Sequence, residues 1–126
     1  MWKVKIDPAD KIFSEYIRKK ANWRCEYCGK DYSDNHQGLH ASHYWSRAKE
    51  GTRYDPNNVN AFCFYCHQRL GHGDGRDDYR EFKIKQLGEN NFKILQWKAF
   101  SYHRKDRKLS LLIAKELLKT VNNFKK

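Results

Sequence analysis

Four stretches of the chain repeat their apolar positions with helical spacing, and they flank a middle segment that does not. Ile12, Phe13, Tyr16 and Ile17 predict a helix over residues 10–24, with Arg18, Lys19 and Lys20 facing away and Asp7-Pro8 as its start. Tyr79, Phe82 and Leu87 predict a second helix over 79–87. Phe92, Leu95, Ala99 and Phe100 predict a third over 91–102. The strongest amphipathic run is 109–124, with Leu109, Leu112, Ile113, Leu117, Thr120, Val121 and Phe124 in one stripe that only Glu116 interrupts. Between them, 39–45 (LHASHYW) reads as a short strand and 46–57 as a loop closed by Asp55-Pro56. Residues 58–62 read as a lead-in to Cys63, followed by a short helix from about Cys66 to Leu70 that Gly71, Gly73 and Gly75 break.

Length and composition narrow the class. At 126 residues the chain fits one domain, with a basic N-terminal helix (1–24), a cysteine-bounded centre (25–75) and a basic helical extension (76–126). Only 39% of residues are hydrophobic, so the core is small, yet 15% are aromatic, which argues against a disordered basic tail. No apolar run approaches the roughly 18 residues that span a bilayer. Met1 to Asp10 is charged and lacks the apolar stretch of a signal peptide, so the expected compartment is the reducing cytosol.

Charge adds a partner. Lys plus Arg number 26 against 15 Asp plus Glu, a formal +11, which points to a polyanion, nucleic acid ahead of a membrane surface. Residues 1–24 carry net +4, residues 25–75 net −1 and residues 76–126 net +8. Basic flanks thus surround a near-neutral centre, as expected where helices hold phosphates around a chemical site.

All four cysteines sit in C-x-x-C pairs, Cys25/Cys28 and Cys63/Cys66. Two such knuckles give four thiolates a tetrahedral arrangement around a structural Zn²⁺, with Gly29 supplying the positive φ the first turn needs. Disulfides are the competing use, and the lack of a secretion signal argues against them. A structural zinc contributes roughly 10 kcal/mol or more to folding in small metallo-domains, which offsets a thin core.

Four of the six histidines cluster with these knuckles: His40 and His43 in the expected strand, His67 next to Cys66, and His72 five residues later. With cysteines filling the zinc shell, a second metal would need these histidines. The order is His43 on a strand, Asn58 in a loop and His67 on a helix. This order, in the frame WRCEYCGK … HASHY … NNVNAFCFYCHQRL, resembles the HNH (ββα-metal) nuclease motif. The stretches FSEYIRKKA, LHASHYWSR, TRYDPNNVNAFCFYCHQRL and YREFKIKQLGENN are similar to the phage NinG (lambda Rap-like) recombination endonucleases, and more distantly to phage recombination endonuclease VII.

The resemblance implies an α+β, mostly helical fold built on a small zinc-bracketed ββα-metal core. It implies a phage or prophage enzyme of the host cytoplasm that cleaves branched or flapped DNA. His43 would be the general base, Asn58 would hold the loop that orients it, and His67 would bind a single catalytic Mg²⁺ or Mn²⁺, with His72 as a second ligand. Arg47 and Arg53 would contact phosphate, and Trp45 DNA. Many HNH nucleases place Asp before the base histidine. Here it is Ser42, which leaves His40, on the same strand face, as the candidate substitute ligand or a phosphate contact, with a supporting polar role as the alternative.

Two other readings remain open: a zinc-stabilised DNA-binding module without catalysis, and a zinc-stapled adaptor for an acidic protein. The apolar stripe of 109–126 must bury somewhere, against the core or against a second copy in a homodimer.

Overall fold

The computed structural model describes residues 5–124, without the side chain of Phe124. Trp2 and that side chain, both apolar positions of the sequence, lie outside the described residues. The fold is α+β and mostly helical: α1 (Pro8–Lys20), β1 (Leu39–His43), β2 (Val59–Cys63), α2 (Phe64–Cys66), α3 (Arg76–Leu87), α4 (Glu89–Phe100) and α5 (Arg107–Phe124). A π-helical turn, His67–His72, continues directly from α2.

Helix α1 starts as the sequence predicts. Pro8 takes the first helical turn, where its missing N–H costs nothing, and the Asp10 carboxylate accepts from the Asp7 N–H at 2.7 Å. It ends earlier than expected, because Asn22 and Trp23 take left-handed conformations (φ 55° and 59°) that turn the chain into the first knuckle. Trp23 then stacks on His36, ring centroids 3.5 Å apart, and so fastens the polar loop after that knuckle.

β1 and β2 pair antiparallel, with Leu39 opposite Cys63, Ala41 opposite Ala61 and His43 opposite Val59. Sequence patterning assigned no strand to 59–63. All five residues of β2 are buried, so the strand lacks the alternation that marks a half-exposed one. β1 is shorter than the expected 39–45 because the Asn58 side chain, not a strand partner, takes both backbone groups of Trp45.

Phe13, Tyr16 and Ile17 of α1 bury against the sheet, and Leu70, Tyr79 and Phe92 close the core from the other side. Helix α5 packs along α1, joining the two basic flanks. Its buried face is Ala114 and Val121, flanked by Leu111, Leu117 and Leu118. That corrects the stripe drawn from sequence: Leu109, Leu112 and Ile113 are exposed. With eighteen residues carrying leucines on two faces, periodicity alone does not choose which face α1 covers.

A candidate nuclease centre beside a cysteine cluster

The two knuckles meet. The sulfurs of Cys25, Cys28, Cys63 and Cys66 all lie within 4.8 Å of one another, and the Cys28 and Cys63 sulfurs are 3.9 Å apart. That spacing suits four thiolates on one tetrahedral Zn²⁺. The first knuckle turns on Gly29, at φ 83°, whose N–H donates to the Cys25 carbonyl. In the second, the Cys66 N–H points at the Cys63 sulfur at 3.5 Å. Glu26, inside the first knuckle, accepts from the Ala61 N–H at 2.6 Å and from Asn60 at 3.2 Å, tying the cluster to β2. Lys83 of α3, fully buried, completes this network by donating to Asn60 and Gln86.

A groove of about 1190 Å³ opens between α1, β1 and the π-helical turn. His40, His43, His67 and His72 all line it. His43 ends β1, with Nε2 2.9 Å from the backbone carbonyl of Arg53. A carbonyl only accepts, so Nε2 carries the proton and Nδ1 keeps a free lone pair. Burial pushes the His43 pKa down to about 4, so the ring is neutral at pH 7.

Asn58 is fully buried and uses its whole amide. Its Oδ1 accepts from the Trp45 N–H at 2.9 Å, and its Nδ2 donates to the carbonyls of Trp45 at 2.9 Å and Thr52 at 3.1 Å. One side chain therefore fixes the loop two residues after His43 and one residue before Arg53, whose carbonyl holds the His43 ring.

On the other strand face, His40 and His67 approach at 3.1 Å through their Nδ1 atoms, and His67 and His72 at 3.3 Å through Nε2. An α-helix does not align residues five apart, but a π-helical turn bonds i to i+5 and brings His67 and His72 onto one side. Gly71 packs tightly in this turn: a Cβ there would meet the His67 ring at 3.1 Å and Ser42 Oγ at 3.4 Å. Ser42 Oγ is buried without a hydrogen-bond partner. Burial, with His72 and His40 adding to it, pushes the His67 pKa down to about 4.

Imidazole nitrogens beside an unpartnered hydroxyl fit a divalent cation. The three histidines do not converge on one point, however. His67 turns a different nitrogen to each neighbour, and among the described residues only the four cysteines form a converging group of three or more such side chains. The donors are two imidazole pairs that share His67.

One sequence expectation changes here. Arg53 is 1% exposed, and its guanidinium is spent on Asp10 at 2.6 and 3.1 Å, on the Lys5 carbonyl and on Glu50. It is an internal strut, and a phosphate contact is ruled out by its burial. Trp45 lines the groove while half-buried, packed edge-on against Tyr44 and Phe100 and tilted against Phe92. Arg47 does line the groove, 3.7 Å from Asp10. Sequence reading missed Lys11, Arg18 and Arg76, which also line it. The signal for the first two was available: Lys11 and Arg18 are seven apart, on one side of α1.

Residues 25–73 match the family model described as HNH endonuclease. This segment covers both knuckles, the hairpin, Asn58 and all four histidines of the groove. It supports placing the centre in the HNH superfamily and suggests nuclease activity on DNA. The comparisons with curated proteins and with solved structures gave no match. No helix among the described residues is long and apolar enough to cross a membrane.

Proposed function

We propose that this protein is a metal-dependent DNA endonuclease that hydrolyses phosphodiester bonds in branched or flapped recombination intermediates, the three segments of the chain working as one domain. The observation that carries this reading is His43, a neutral imidazole in a basic-walled groove with Nε2–H committed to a carbonyl and Nδ1 free.

In this reading Nδ1 of His43 takes a proton from the attacking water, and the Arg53 carbonyl supports the positive charge that then forms on the ring. Asn58 acts through the loop, holding that carbonyl in place. His67, with His40 or His72, binds the catalytic divalent ion. When bound, such an ion polarises the phosphate and stabilises the leaving 3′ oxygen. Imidazole donors suit Mn²⁺ better than Mg²⁺, which prefers oxygen. Lys11, Arg18, Arg47 and Arg76 hold flanking phosphates. The uncovered strip Leu109, Leu112 and Ile113 supports a homodimer through residues 109–126, which two symmetric cuts would require.

The test is nicking of a labelled four-way junction, a flap and a plain duplex with Mg²⁺, Mn²⁺ or neither. Metal-dependent nicking that His43→Ala abolishes, with DNA binding retained, is expected. If the wild type cuts none of the three with either metal, or His43→Ala cuts equally well, the nuclease reading falls.

A further inference from the structure

One exposed feature belongs neither to the groove nor to the core. Helix α4 buries Phe92, Leu95 and Ala99, and turns Lys93, Gln96, Trp97 and Phe100 outward along one side. Trp97 is 69% exposed and Phe100 64%, and they line a shallow depression of about 490 Å³ with Ser101. Two large aromatic rings in water on consecutive turns are costly unless something covers them. The patch also joins the groove. Lys49 Nζ lies 4.5 Å from the centre of the Phe100 ring, Trp45 meets that ring edge-on at 6.1 Å, and both Lys49 and Trp45 line the groove that holds His43.

We propose that the Trp97–Phe100 face of α4 stacks the bases of an unpaired strand of nucleic acid. Three observations select this occupant. The exposed groups are aromatic rings, Trp97 the more open and Phe100 with Lys49 over it, and every base can stack on such rings. Lys93 and Lys49 flank them with the positive charge a phosphate backbone requires. The face is continuous with the groove, so a strand leaving the groove past Trp45 meets Phe100 first. A paired duplex hides its base faces and gains nothing from these rings. The inference deepens the nuclease reading by naming unpaired nucleotides as the part of the substrate that sets preference, and it rests on that reading only for what lies in the groove.

The test is fluorescence anisotropy of labelled oligo-dT and of an equal-length duplex, without added divalent metal. Trp97→Leu/Phe100→Leu keeps apolar bulk but loses both π faces. It should weaken oligo-dT binding about tenfold or more and leave duplex binding within about twofold. Trp97→Phe, which keeps a ring, should stay within about twofold of wild type on both. Lys93→Glu, a surface change that leaves the fold alone, should weaken oligo-dT binding about fivefold. In nicking assays the flap-to-duplex ratio should fall with the double variant.

The proposal is overturned if the double variant binds oligo-dT like wild type, or loses duplex affinity to the same degree. It is also overturned if the variant alters sedimentation but not oligo-dT binding, since the face would then be a contact between copies. The two readings fail separately. A protein that nicks nothing but binds oligo-dT through Trp97 loses only the nuclease reading. One that nicks with His43 but binds oligo-dT without Trp97 loses only this one.

Discussion

The His43 imidazole and the Arg53 backbone carbonyl are joined across the β1–β2 loop by a 2.9 Å hydrogen bond from Nε2–H. The bond fixes both the ring's orientation and its tautomer, because the carbonyl has no proton to give. Nitrogen-15 NMR at pH 7 should therefore show His43 protonated at Nε2 and bare at Nδ1. With the folded pKa near 4 against an ordinary 6.5, the base needs no deprotonation at neutral pH. At saturating metal, kcat/KM should stay flat through pH 6.5 and fall only as pH nears about 4. The unfolded chain binds this proton first, so the same shift lowers stability as pH drops from 6.5 toward 4.

Asn58 should be replaceable by neither Asp nor Ala. Asp keeps the acceptor for the Trp45 N–H but faces two carbonyls with no donor, and Ala abandons all three backbone groups. Each buried group left unpaired costs about 1–3 kcal/mol, so either variant should lose several kcal/mol in urea unfolding. Under conditions where Asn58→Asp is folded, kcat should fall far more than KM changes, since the loop carrying the Arg53 carbonyl loosens. Equal kcat in the folded variant would remove Asn58 from the positioning of His43.

The cysteine cluster should be a folding element and not a chemical one. The wild type should bind one Zn²⁺ per chain, and Cys25→Ser or Cys63→Ser should lose the metal together with the cooperative thermal transition. In small metallo-domains zinc supplies on the order of 10 kcal/mol, more than a core of this size can replace. Metal analysis alongside calorimetry checks this. A zinc-free variant that still melts cooperatively at the wild-type temperature would contradict it.

Lys83 gives an alkaline signature. Burial pushes its pKa down from 10.5 to about 8, although Glu26 and Asp55 oppose the shift. Between those values the unfolded chain holds the proton and the folded chain does not, so stability rises with pH across that window. The full gain is about 3 kcal/mol. Denaturation of the wild type from pH 7.5 to 9.5 should show that slope, and Lys83→Met should flatten it.

Arg53 should matter through stability. Arg53→Leu takes away the main partner of the Asp10 carboxylate, leaving it the Asp7 N–H and the more distant Arg47, a loss of about 3 kcal/mol. Burial raises the Asp10 pKa, but the hydrogen bonds from Arg53 and Asp7 outweigh it and hold the pKa below 3.8. The contribution of this pair is thus present above pH 3.8 and lost as pH falls below it. DNA affinity per folded molecule should stay within about twofold, a measurement that separates a strut from a phosphate contact.

Much of this protein was determined by local sequence. The C-x-x-C pairs forecast the cluster, because two cysteines three apart put both sulfurs on one side of a tight turn whatever surrounds them. Asp7-Pro8 marked the start of α1, and the order His43, Asn58, His67 marked the residues that line or brace the groove. Each of these signals resides in a few neighbouring residues or in a fixed spacing.

Tertiary structure decided what depends on distant partners. Arg47 and Arg53 are alike in sequence, six residues apart in one loop, yet Asp10 of α1 draws Arg53 inside and leaves Arg47 in the groove. β2 carries no alternation because both of its faces are covered, and that covering comes from helices elsewhere in the chain. The face of α5 was chosen by the shape of α1. The pairing of His67 with His72 needed a π-helical turn, and that turn packs its Gly71 close to Ser42 of β1, far away in sequence. Burial and long-range charge are sums over the whole fold, so no window of sequence contains them.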